Sequence, residues 1–242
     1  MSAGLLHTRL LGLIAGLNPP PRMGRGLRAT IDSLDRGFMQ FVYEAVADSG
    51  LGRRELIDRG AAVLLEYAAV QLSDDLSDNE CVYLAAPGKD GPLLLLVLQN
   101  LFHRLICRSS IPQKKAAFAL ELLGTVANAQ SNELHTGAWT LKRYCSCAGR
   151  LTGMQLSAYL MLLWAGTPLE NRAIDLGQRL GLAMHIAGDV RSIDRRWRSL
   201  GRSDRKKLLQ AALTSLGRLE RYPSVAAFRL GKALRKLLST VQ

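Results

Sequence analysis

Asp74, Asp75 and Asp78 lie in the stretch Asp74-Asp75-Leu76-Ser77-Asp78, three carboxylates within five residues. Their mutual offsets are one, three and four residues, so a helix projects them as one acidic patch. Carboxylates that close repel one another and are costly beside an apolar wall. A hard divalent cation relieves that repulsion, and Mg²⁺ held by a few protein oxygens together with a phosphate is the common form. The plainer reading is a solvated acidic turn at a helix end.

The run 61–72 immediately upstream is mostly apolar and contains no Pro or Gly. It reads as a buried helix that delivers the acids to one end of a cavity. This run, ending in the DDLSD motif, resembles the first Asp-rich motif of the trans-isoprenyl diphosphate synthases and class I terpene synthases. The resemblance implies that Asp74, Asp75 and Asp78 bind Mg²⁺ and, through it, the diphosphate of an allylic isoprenoid. It also implies that Ala69 and Val70, just before the motif, set the length of isoprenoid tail that fits. Both are small.

Later segments extend the resemblance in the same order, over about residues 25–215. Ala129-Gln130-Ser131-Asn132-Glu133 is similar to the family's GQxxD helix, which implies that Gln130 and Glu133 face the cavity. Leu151-Thr152-Gly153 is similar to the K-T-G segment, with Leu151 in the lysine place and Arg150 beside it. Arg150 and Thr152 are thus implied as substrate-binding residues. The stretch 180–189 resembles the helix leading into the second Asp-rich motif, with His185 where the family usually has Gln. Of that motif only Asp189 stands, in Gly188-Asp189-Val190-Arg191-Ser192, and it is the fourth implied metal ligand. Arg191, Arg195 and Arg196 follow as candidates to hold the released diphosphate. A cation triad like that of terpene cyclases, built on Asp189, Ser192 and Arg196, is interrupted by Gly188 and Arg196 itself. Ser203-Asp204-Arg205-Lys206 is loosely similar to a downstream D…K segment.

The place of a homoallylic substrate is thinner. Gly24-Arg25-Gly26-Leu27-Arg28 stands for the family's G-K-x-x-R segment, implying Arg25 and Arg28 as phosphate ligands. Tyr67 occupies a position where the family has His, and positions 79–88 contain no arginine. Isopentenyl diphosphate is a polyanion that needs opposing cations, so this site is degenerate. The resemblance therefore implies Mg²⁺-dependent ionisation of an allylic isoprenyl diphosphate followed by prenyl transfer. Two alternatives remain: a class I terpene synthase acting on a fifteen- to twenty-carbon prenyl diphosphate, or a non-catalytic partner subunit of such a synthase. Tyr67, Tyr159 and Trp164 are candidate aromatics beside a carbocation, or simply core.

The elements that must position these residues are helical. In 242 residues, 48% of them hydrophobic, the periodicity is close to 3.6 nearly throughout. Alternating β-rich runs are missing, so the expected fold is all-α. About ten helices in one orthogonal bundle around a central cavity are expected, as a single isoprenoid synthase-like domain over 1–242. Punctuation by Pro and Gly predicts helices over 5–17, 27–49, 53–78, 93–109, 112–135, 138–147, 153–165, a segment from Pro168 through 176–190, 203–219 and 224–238. Residues 86–91 are predicted to be a loop. The apolar run 92–106 is broken by Gln99, Asn100, His103 and Arg104, and reads as a core helix or a greasy homodimer face.

The formal net charge is +12. Positions 189–242 hold 14 Lys and Arg against four acids, a net of +10. Such a region suits a diphosphate or an anionic membrane surface, and peripheral membrane contact is one expectation. No nucleic-acid motif accompanies it, so no nucleic-acid partner is expected. Cys81, Cys107, Cys145 and Cys147 lack metal-ligand spacing and read as reduced thiols of a cytoplasmic protein.

Overall fold

A computed structural model describes residues 3–133, 139–192, 194–219 and 222–240, with the side chains of 131–133 set aside. The described residues are helical, with no strand among them. The chain divides into two compact units, Met1–Ile111 and Pro112–Gln242.

The first unit contains α1 (Gly4–Ala15), α2 (Pro21–Asp32), α3 (Arg36–Asp48), α4 (Arg53–Ser77) and α5 (Pro87–Arg108). Leu6, Leu10 and Ile14 recur at helical spacing and are buried, so α1 is a packing helix laid against α4. The 25-residue α4 is buried nearly all round between Arg59 and Ala69, and it packs against α1, α3 and α5. Its Arg59, 2% exposed, is matched by Glu55 Oε1 at 2.7 Å and Ser110 Oγ at 3.1 Å. A buried guanidinium without such partners would be strongly destabilising.

Two expectations change here. The single helix predicted over 27–49 is two, because Asp35 turns extended and caps α3, accepting from Phe38 N at 2.7 Å. The predicted loop at 86–91 is the first turn of α5: Pro87 begins the helix, where a missing N–H costs nothing, and Pro92 lies inside it.

The second unit contains α6 (Gln113–Glu133), α7 (Leu141–Ala148), α8 (Met154–Trp164), α9 (Ala173–Ser192), α10 (Arg195–Ser199), α11 (Arg202–Gly217) and α12 (Val225–Ser239). Among them α9 is central, touching α7, α8, α10, α11 and α12. The break predicted around Gly149 and Gly153 is instead a π-helical turn, Gly149–Gly153, that carries α7 into α8. The short α10 was not expected. Positions 134–138, where one predicted helix ends and another begins, lie outside the described residues.

Glycine determines how closely α8 and α9 approach. A Cβ on Gly181 would stand 2.5 Å from Gly153 Cα, and one on Gly177 would collide with the backbone of Ser157. The Ser157 hydroxyl, 1% exposed as a residue, bridges the two helices by donating to Gly153 O at 2.8 Å and Ile174 O at 3.1 Å. This contact sets Thr152, in the π turn, against His185 on α9.

Candidate active site

The acidic cluster ends α4. Asp74 and Asp75 lie in its last turn, Asp78 is the C-cap, and Asn79 adopts φ 59° to leave the helix. The last turn holds no basic residue. The carbonyl end of a helix carries partial negative charge, so three carboxylates placed there are doubly unfavourable without a cation. Asp74 and Asp75 are half-buried and Asp78 is exposed.

The acids do not stand alone. Glu66, Tyr67, Val70, Gln71, Asp74 and Asp75 are all half-buried and fall on one side of α4, while Leu65, Ala69 and Leu72 are buried on the other. Tyr67 packs on Phe38, ring centroids 4.2 Å apart. Burial, and then the negative charges of Asp35, Asp75 and Asp74, push its phenol up to about 12. It is therefore a neutral hydrogen-bonding group beside the cluster. Burial also raises the Glu66 carboxyl, and Oε1 of Gln71 is buried without a hydrogen-bond partner.

Sequence reasoning missed Tyr83. Its hydroxyl donates to Asp75 Oδ2 at 2.8 Å. Burial and the Asp75 charge raise its pKa far above the usual phenol value, so it stays a donor. The only sequence signal was an aromatic in the short loop after the motif. A cavity of about 240 Å³ opens next to it, lined by Asp75, Leu76, Asn79, Cys81, Pro87 and Pro92.

Arg25 and Arg28 are exposed on α2, and the neighbouring Arg22 pairs with Asp90 of α5 at 3.0 Å. Gln130 is half-buried near the end of α6, and the side chain of Glu133 lies outside the described residues. Arg150 is exposed in the π turn; Arg191 and Arg195 are exposed at the α9–α10 corner. Tyr159 and Trp164, each 1% exposed, are core residues of α8.

Asp189, the fourth implied metal ligand, lies near the end of α9. It is 4% exposed, accepting from Tyr144 Oη at 2.7 Å and Arg196 Nη2 at 3.0 Å. Arg196, expected to hold a diphosphate, also donates through Nε to Asp194 Oδ1 at 2.9 Å. The Tyr144 partner of Asp189 escaped the sequence reading, being 45 residues away. His185 bonds through Nδ1 to the Thr152 hydroxyl at 2.9 Å. Burial and the Arg196 charge lower its pKa to about 4, so the ring is neutral near pH 7. Among the described residues, no three His, Cys, Asp or Glu side chains gather tightly enough to enclose a metal by themselves.

No family model matches the sequence, and no curated protein sequence is significantly similar to it. Solved structures do match. An isoprenoid synthase family member from Thermotoga neapolitana superposes with a TM-score of 0.72 at 18% identity, covering 99% of both chains. A geranylgeranyl pyrophosphate synthetase from the archaeon Geoglobus acetivorans gives 0.69 at 13% identity, over 98% of this chain and 95% of that one. A geranyltransferase from Legionella pneumophila gives 0.67 at 17% identity, over 98% and 96%. The fold of this chain is that of the isoprenoid synthases.

Proposed function

We propose that this protein is a prenyltransferase that ionises an allylic isoprenyl diphosphate with the help of Mg²⁺, and that residues 1–242 act as one isoprenoid synthase-like domain. The observation that carries this proposal is the acidic cluster at the carbonyl end of α4, on one side of the helix with Tyr67 and Val70, in a chain with this fold. The near-complete coverage of both chains in each comparison supports the single domain.

The donor set suits Mg²⁺. Three carboxylates at the carbonyl end of a helix whose last turn holds no basic residue suit a hard cation, and Mg²⁺ bound by a few protein oxygens keeps waters and takes substrate phosphate oxygens. Asp74, Asp75 and Asp78 would hold it, and bound there it would neutralise charge developing on the leaving diphosphate. Tyr83 holds Asp75 in place. Tyr67 and Val70 form the wall next to the reacting end of the isoprenoid, and apolar packing behind them excludes water. Arg25, Arg28, Arg150, Arg191 and Arg195 are the exposed cations available to diphosphates, while Thr152, His185, Gln130 and Glu133 complete the set the resemblance implies.

We further propose a cytoplasmic homodimer in peripheral contact with membrane. Leu93 and Leu96 of α5 are 52% and 61% exposed, which supports a face that a second copy covers. Val225 and Phe228 of α12 are 53% and 50% exposed beside the exposed Arg229 and Lys232, a combination suited to an anionic lipid surface. No helix among the described residues is long and apolar enough to cross a membrane.

The deciding experiment feeds ten-, fifteen- and twenty-carbon allylic diphosphates with Mg²⁺, with and without isopentenyl diphosphate or another acceptor. Product formed only with an acceptor is expected. A hydrocarbon or alcohol from one substrate would make the protein a terpene synthase, and no turnover by the pure protein would make it a partner subunit. Asp74→Asn with Asp75→Asn should lower turnover roughly a hundredfold or more with the helical spectrum intact, because the metal contributes several kcal/mol. Full activity in that double variant would end this assignment.

A further inference from the structure

Asp189 and Asp194 are joined by one guanidinium. Arg196 donates through Nη2 to Asp189 Oδ1 at 3.0 Å and through Nε to Asp194 Oδ1 at 2.9 Å. Asp194 also caps α10, accepting from the backbone N–H of Arg196 at 2.7 Å. The backbone N–H of Asp194 returns to the carbonyl of Asp189 at 2.9 Å, closing the corner between α9 and α10. The second oxygen of Asp189 takes the Tyr144 hydroxyl at 2.7 Å.

These contacts leave little for a metal to do. A buried carboxylate requires a counter-charge, and Asp189, at 4% exposure, already has one within hydrogen-bond distance. Mg²⁺ requires near-octahedral oxygen ligands, and it sheds water reluctantly. At Asp189 it would have to share each oxygen with a bond already made, the charge-assisted one at Oδ1 or the phenol at Oδ2, and sit next to a guanidinium of the same sign. The ring of His185 lies close by, its Nε2 3.8 Å from Asp189 Oδ2 and without a hydrogen-bond partner.

We infer that Arg196 is a built-in counter-ion which holds Asp189 and Asp194 in place of a divalent cation, so that this corner takes no Mg²⁺ and metal binding falls to the α4 cluster. The choice of ion rests on the function proposed above; the occupancy of Asp189 does not.

The test counts bound Mn²⁺, a paramagnetic substitute for Mg²⁺, by electron paramagnetic resonance on the full chain with and without inorganic diphosphate. Asp189→Asn should leave the number of bound ions and their affinity unchanged. Arg196→Ala should uncover the two carboxylates and add one weak Mn²⁺ site that vanishes in the Arg196→Ala, Asp189→Asn double variant. Loss of an ion, or a drop in affinity of roughly tenfold or more, in Asp189→Asn would overturn the inference. So would the absence of a new site in a folded Arg196→Ala protein. If Arg196→Ala does not fold, Asp189→Asn decides alone. The Asp74→Asn, Asp75→Asn variant in the same titration separates the two ideas: if it keeps every ion, the proposed function fails, and with it the assignment of metal to α4, while the Asp189→Asn result still decides whether the corner is metal-free.

Discussion

The phenol of Tyr83 reaches back eight residues to donate a 2.8 Å hydrogen bond to Oδ2 of Asp75. One acid of the cluster is thereby aimed by the loop that follows the helix. Tyr83→Phe removes the donor with little change in shape. Partners that orient metal ligands carry roughly tenfold or more in metal affinity or activity. We expect the Mg²⁺ requirement of turnover to shift upward by about that factor, with folding stability changed by only about 1 kcal/mol. An unchanged Mg²⁺ titration would show that Asp75 needs no such partner.

His185 makes stability depend on pH. Its pKa is about 4 folded, against 6.5 for an ordinary His, so between those values the unfolded chain binds the proton and the folded chain does not. Its contribution to stability is complete above pH 6.5, falls as pH drops, and levels off near 4. A shift of this size corresponds to roughly 3 kcal/mol. Denaturant unfolding at pH 7 and pH 5, compared between the wild type and His185→Gln, should show a smaller loss in the variant. Equal losses would place the ring in a more solvated setting.

Gly181→Ala should destabilise the second unit. The added Cβ meets Gly153 Cα at 2.5 Å, and a backbone cannot yield as a side-chain tip can. Overpacking of this kind costs about 1–3 kcal/mol or more. Because the same contact holds Thr152 against His185, activity should fall at temperatures where the protein remains folded. Gly188→Ala is the control, since a Cβ there meets nothing within 4 Å. Equal melting temperatures for the two variants would contradict the close approach of α8 and α9.

Val70 lies one turn before Asp74 on the half-buried side of α4. Under the proposed function, Val70→Phe fills the space where a growing tail would lie, and products should shorten by at least one isoprene unit. Chromatography of the dephosphorylated products measures this. An unaltered product length would move the tail to another wall.

Much of the first unit was legible in the residues. A long apolar run ending in three acids predicts a buried helix with a charged end, because hydrophobic burial and a 3.6-residue period act within one segment. The boundary errors, at 33–35 and 86–91, occurred where a cap or a proline fits either a helix end or a helix start. Those local signals are two-sided, and packing of the flanking apolar residues decides between them.

The site is where the two levels part. Sequence alone determined that Asp74, Asp75 and Asp78 share a helix face, since neighbours three and four apart meet whatever the rest of the chain does. Asp189 looked like their counterpart by position alone. Only the tertiary structure decided that Tyr144, 45 residues earlier, would meet one of its oxygens and Arg196 the other. Which donors meet a carboxylate depends on what packing brings to it from distant positions, and burial strengthens those bonds.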